Sequence, residues 1–212
     1  MIKLDIHAEE SFARIHEMLR DFPGGVEKAT RGVISRATTT ARATTLKGIT
    51  SVYDIQAKDV RDRERTTINM RTQTVDGGIV GVITFSGNKI PLYRFGVSHK
   101  TPKSQGHKVP VKIGERWVMA SPGIPVKARE KKASPMKQSR TAFIATMSNG
   151  HTGIFDRKNK GSSKITERMG ASTAEMAQNA NVLNEVETAT METIVKRTER
   201  EITRIINGYG GR

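Results

Sequence analysis

Between Ser98 and Arg140 the chain gathers Lys100, Lys103, Lys108, Lys112, Arg116, Lys127, Arg129, Lys131, Lys132, Lys137 and Arg140, opposed only by Glu115 and Glu130. Side chains of this type neutralise phosphates or carboxylates, and they do so in a salt-dependent way that does not read base sequence. The prolines, glycines and serines among them predict extended basic arms rather than helices. The same cations suit a nucleic acid or an acidic face on a neighbouring subunit. Base readout would need a recognition helix or stacking aromatics. Only Trp117 and Tyr93 lie near, and both read as core residues.

Other chemistry is sparse. His7, His16, His99, His107 and His151 are scattered, and none stands at ligand spacing from another His, Asp or Glu on one element. His99 and His107 flank lysines, a poor setting for a divalent cation, and His151 reads as a satisfied loop histidine. Gly77, Gly78 and Gly81 lie in a hairpin pattern rather than between a strand and a helix, so they do not cradle phosphate. Asp76 reads as a turn residue. The expectation is a protein that is not an enzyme, with no catalytic residue, metal site or cofactor assigned.

A length of 212 residues predicts one domain with appendages, and 35% hydrophobic with 5% aromatic residues predicts a thin core. The net charge of +15 and isoelectric point near 10.3 call for an acidic partner, or else mark a solvated, biased surface. Without cysteine there are no disulfides or thiolate metal sites. No apolar run approaches a membrane span, and the N-terminal MIKLDIHAEES lacks a secretory core. A soluble, cytoplasmically made protein is expected.

These residues need elements to hold them. The stretch Gly77 to Val97 promises the centre: Ile79–Phe85 and Ile90–Phe95 are β-branched and aromatic, with Ser86-Gly87-Asn88-Lys89 between them as a tight loop. Pro91 makes the second run an edge strand or ends it there. Thr66–Val75 would pair across Asp76-Gly77-Gly78. Before this, Phe12, Ile15, Leu19 and Phe22, with Met18 beside them, predict a helix stopped by Pro23-Gly24-Gly25. A second helix runs from Val26 toward Thr50 on Val33, Ala37 and Ala41, and a short one follows Ile55. Beyond it, Val111, Ile113, Trp117 and Met119 predict a strand or two. A second hairpin spans Thr141–Met147 and His151–Phe155. Ser172 and Glu175 form a capping-box pattern, and Val182, Val186, Ala189, Ile194, Val195, Ile202 and Ile205 give a helix from about Asn181 to Asn207. The fold class is α+β: a small antiparallel sheet of about four to six strands, two N-terminal helices, a long C-terminal helix and extended basic loops. Expected core residues are Phe12, Leu19, Val33, Ile83, Phe85, Leu92, Phe95, Phe143, Ile154 and Phe155.

The order of these segments resembles a known family. Tyr53-Asp54-Ile55-Gln56-Ala57-Lys58-Asp59-Val60, Ile90-Pro91-Leu92-Tyr93-Arg94-Phe95, Gly150-His151-Thr152-Gly153-Ile154-Phe155-Asp156-Arg157 and Lys164-Ile165-Thr166-Glu167-Arg168-Met169-Gly170-Ala171-Ser172 look like the minor tail protein Z family. These are tail-completion proteins of phages and prophages with long non-contractile tails. The likeness covers nearly the whole chain, although the basic segment is longer here than in the family. It implies a single tail-completion domain over 1–212, with 98–140 a basic arm insertion and 172–207 the C-terminal helical segment. It further implies a structural virion protein at the head-proximal end of the tail that helps join tail to head for DNA passage. Its partners would be tail-terminator, tail-tube and neck proteins and genomic DNA in the lumen, with six copies around the tail axis and no membrane. Assembly would take place in the host cytoplasm. The alternative is a free, sequence-nonspecific nucleic-acid-binding protein using the 98–140 arms.

Overall fold

The computed structural model describes residues 8–62, 66–75, 78–101, 109–113, 116–120, 126–138, 141–157 and 165–208. The architecture is α+β, with helices at both ends of the chain and short antiparallel sheets between. Two compact units form: Met1–Ile49, Thr66–Ser86 and Ala174–Arg212 make one, and Thr50–Arg65 and Gly87–Thr173 the other.

The first unit is helical. Helix α1 (Glu9–Leu19) buries Ile15 and Leu19, with Phe12 packed beside them. Met18 and Phe22, expected near that face, are exposed. Gly24 takes φ +68 in the link, a conformation that glycine adopts without strain, and α2 (Gly25–Val52) begins at once. Threonine is a weak helix former, yet α2 accommodates Thr38, Thr39 and Thr45 because each hydroxyl donates to the carbonyl four residues back, at 2.7–2.9 Å. Helix α4 (Thr173–Ala177) ends at Ala177, and Asn179 caps α5 (Ala180–Ile206) by accepting from the Asn181 N–H at 3.1 Å. Gly208, at φ +77, follows its C-cap.

Helix α5 buries Val182, Val186, Thr190, Ile194, Thr198, Ile202 and Ile205, an almost unbroken four-residue repeat. Val195, expected in that stripe, is 55% exposed. One residue past Ile194 is about 100° around the helix, which turns it to water. Ala8, Ile15, Leu19, Ala29, Val33, Ala37, Ile194, Ile202 and Ile205 form one apolar cluster. Strands β1 (Thr66–Val75) and β2 (Gly78–Gly87) pair as expected. Gly81 lets β2 approach α2: a Cβ there would stand 2.0 Å from Thr38 Oγ1 and 3.2 Å from Ile34.

The expected central sheet is corrected. Ile83 and Phe85 are only half-buried, and Ile90–Phe95 forms no strand beside β2. Pro91 makes an isolated bridge to Met169, and Leu92–Arg94 winds into a 3-10 turn through Arg94 N–H to the Pro91 carbonyl and Phe95 N–H to that of Leu92. Proline has no N–H for a ladder, and its fixed φ suits the start of a turn. In place of one sheet of four to six strands, the described residues hold ten strands in four sheets of two or three.

In the second unit, helix α3 (Ala57–Val60) follows Tyr53. Strands β3 (Gly96–Val97), β6 (Lys127–Arg129) and β7 (Lys137–Gln138) form one sheet. Strands β8 (Ala142–Thr146), β9 (Thr152–Arg157) and β10 (Ile165–Glu167) form another, the first two joined by a turn with Gly150 at φ +81. Strands β4 (Val109–Ile113) and β5 (Arg116–Ala120) pair as a hairpin. Val126, Ala142, Ile144 and Ile154 are the apolar centre, with Leu92, Tyr93, Val97 and Ala128 against them. Of the remaining expected core, Leu19, Val33, Phe95, Ile154 and Phe155 are buried, whereas Leu92 and Phe143 are half-buried.

Burial along α5 predicts a contrast between adjacent residues. Ile194→Ala lowers unfolding stability by about 2–4 kcal/mol, whereas Val195→Ala stays within about 0.5 kcal/mol of the parent. Urea denaturation of the two variants measures both.

Candidate functional site

The described part of the basic segment is built into the second unit. Asp54 N–H donates to the Glu130 carbonyl at 2.8 Å and Lys132 N–H to that of Val52 at 3.0 Å, while Tyr53 bridges Lys131. This backbone seam ties residues 130–132 to the end of α2. Where described, the extended arms expected here hold the short strands β4, β5, β6 and β7 beside turns and irregular backbone.

Several expected binding cations are engaged within the chain. Arg129 Nε donates to Asp54 Oδ2 at 2.7 Å and its Nη1 to the Lys132 carbonyl at 3.2 Å. Gly96 admits that carboxylate, since a Cβ there would meet Asp54 Oδ2 at 2.1 Å. Lys132 Nζ donates to the Thr50 carbonyl at 2.6 Å. Lys131 Nζ lies 5.8 Å from the centre of the Tyr53 ring. Lys100 Nζ donates to the Tyr93 and Phe95 carbonyls at 2.7 and 3.2 Å and sits 4.9 Å from the Tyr93 ring centre. Burial of that ammonium tip lowers its pKa, against the pull of Asp59 and Asp54 and with Arg94 and Lys58 pushing the same way as burial.

Lys127 and Lys137 are exposed on β6 and β7, where Lys127 faces Gln138 and Lys137 faces Ala128. Lys112 and Arg116 occupy β4 and β5, opposite Trp117 and Ile113. Lys103, Lys108 and Arg140 lie outside the described residues, as do Glu115, His7, His107, Asp76 and Gly77.

Acids near the segment serve the framework. Asp59, with a side chain 6% exposed, meets Arg94 Nη1 at 2.5 Å. Asp156 accepts from Thr141 at 2.9 Å and pairs with Arg168. His151 Nε2 lies 2.7 Å from Glu167 Oε1, with its ring edge-on to Phe155. No group of three His, Asp or Glu that could hold a metal ion occurs among the described residues.

A further set of cations, which the sequence reading passed over, lies in the helical unit. Arg36 of α2 and Lys196, Arg197 and Arg200 of α5 line one cavity of about 230 Å³ with Thr39, Thr40 and Thr193. Lys196, Arg197 and Arg200 lie off the apolar stripe of α5, but Arg36 comes from α2, so no local pattern groups the four.

The chain matches no family model, no curated protein and no solved structure.

Two measurements check this geometry. Arg94→Ala strips the partner from a buried carboxylate and costs about 1–3 kcal/mol of unfolding stability by denaturant titration. The Lys100 amine, followed by NMR, titrates below an ordinary lysine. Its folded pKa lies under its unfolded one, so the folded chain binds fewer protons in the alkaline window between them. Stability contributed by this group therefore rises with pH across that window, and Lys100→Met flattens the rise.

Proposed function

We propose that this chain is a structural virion protein that completes the head-proximal end of a phage tail and helps join the tail to the head for DNA passage. The observation that carries this reading is the convergence of the family-like segments in one unit. Asp59 of the first segment meets Arg94 of the second. Leu92 N–H donates to the Arg168 carbonyl at 2.9 Å, and Arg168 N–H to that of Ile154 at 2.7 Å. Phe95 is buried against Gly170, where a Cβ would stand 2.6 Å from the ring. Segments far apart in sequence thus act as one framework, as expected of a module shaped to fit neighbouring subunits. In the proposed role its partners are tail-terminator, tail-tube and neck proteins, with six copies around the tail axis.

The alternative is a free nucleic-acid-binding protein that uses the 98–140 arms, and the net charge of +15 favours it. Internal engagement of Lys100, Arg129 and Lys132 weighs against it, because those cations already have acceptors.

Mass measurement and co-purification with tail-terminator and tail-tube subunits test the assembly role. A multimeric complex is expected, and a monomer with no affinity for either subunit overturns the reading. The alternative requires that Lys131→Glu with Lys132→Glu weaken duplex binding, so unchanged binding in that variant removes it.

A further inference from the structure

The cleft between α2 and α5 has a composition that no structural task in the helical unit explains. Arg36, Lys196 and Arg200 are exposed, and Arg197 is half-buried beside them. None of these four side chains makes an ion pair or hydrogen bond among the described residues. Of the acids nearest in sequence, Glu199 lies 2.5 Å from Arg14 Nε, and Glu201 lies 2.7 Å from Arg204 Nη2 with its Oε2 buried and making no well-aligned hydrogen bond among the described residues. Four like charges in one cleft repel one another, a cost that a bound anion would relieve.

The rest of the lining is hydroxyl. Thr193 Oγ1 donates to the Ala189 carbonyl at 2.8 Å and lies 3.3 Å from Thr40 Oγ1 across the two helices. Thr39 lies beside them. Arginine, lysine and threonine together are the side chains that contact phosphodiester oxygens. The lining contains no aromatic ring, so a nucleobase would find no stacking platform and a nucleotide would be held by its phosphates alone. It also contains no apolar side chain to enter a bilayer beside a lipid head group.

Spacing favours an extended polyanion. Lys196 and Arg200 are one helical step of about 6 Å apart on one face of α5. A nucleic-acid strand carries a charge at about every 3.4 Å of axis, so two cations about 6 Å apart can each meet a different phosphate of one strand.

We propose that the α2–α5 cleft binds the phosphodiester backbone of a nucleic acid without regard to sequence. This contact uses residues of the helical unit and none of the 98–140 segment, and it holds whether or not the chain assembles into a tail.

The test is anisotropy of a short labelled DNA duplex with the full chain over a salt series. A variant carrying Arg36→Gln, Lys196→Gln and Arg200→Gln is expected to lose about tenfold or more in affinity. Its log–log salt slope should fall by about one for each phosphate contact removed. Lys127→Gln with Lys137→Gln, at exposed cations of the other unit, should change the slope less. Circular dichroism verifies folding. If the triple variant does not fold, the single variants Lys196→Gln and Arg200→Gln, at exposed helical positions, are each expected to lower the slope by about one. Parent-like affinity and slope in the cleft variants overturn the proposal. So does displacement of the duplex by polyglutamate or by inorganic phosphate at comparable concentration, or cleft-dependent binding to phosphatidylglycerol vesicles that equals binding to DNA. Failure of the subunit co-purification with cleft-dependent DNA binding retained would remove the assembly role and leave this site standing.

Discussion

The close approach of α2 and α5 is the constraint on which the helical unit depends. A Cβ at Gly48 would stand 3.1 Å from Val182, and one at Gly32 would stand 3.0 Å from the Glu201 carboxyl carbon. Between these points α2 turns Ala37, Ala41 and Thr45 inward, all small, while α5 supplies Val186, Thr190 and Ile194. Small side chains let two backbones come near, and the threonines are tolerated because their hydroxyls bond carbonyls of their own helix. Two consequences follow from this spacing. Thr40 and Thr193 meet across the helices, and Arg36 is brought to the same cleft as Lys196, Arg197 and Arg200.

Positive charge sorts into distinct environments. With 36 lysines and arginines against 21 acids, carboxylates cannot pair every cation. Arg94 and Arg129 take Asp59 and Asp54, while Lys100 and Lys132 turn to backbone carbonyls. Those bonds fasten the segment after β3 and the segment after β6 to Tyr93, Phe95 and Thr50, so cations do cross-linking work in a chain with little apolar surface. Exposed pairs such as Arg14–Glu199 add little, because water screens them. The cleft cations have no such acceptor among the described residues, which sets them apart from those of the second unit.

The two proposals assign charge to different tasks. Lys100, Arg129 and Lys132 of the 98–140 segment hold a module together, which suits the proposed assembly role. Cations of the cleft face water and fit a phosphate backbone.

The helices were legible in sequence because their signals are local. The four-residue repeat from Val182 to Ile205 and the Pro23-Gly24-Gly25 stop after the first helix lie within a few residues of what they specify. The β1–β2 and β8–β9 hairpins were legible for the same reason, since alternation and a turn sufficed. For Ile90–Phe95 the sequence left an edge strand or an end at Pro91 open, and only the pairing of Pro91 with Met169 and of Leu92 with Arg168 decided that it turns. The core share of Ile83 and Phe85 was overstated, because hydrophobic type does not reveal how much neighbouring surface arrives to cover it. The cleft could not be found from spacing, since Arg36 and Lys196 are 160 residues apart. Sequence by itself determined the long helices, the β1–β2 and β8–β9 hairpins and the charge surplus, because these are set by composition and by neighbours along the chain. Tertiary structure alone decided which cations acquire acceptors and which share a cleft, because electrostatic partners are chosen by distance in space.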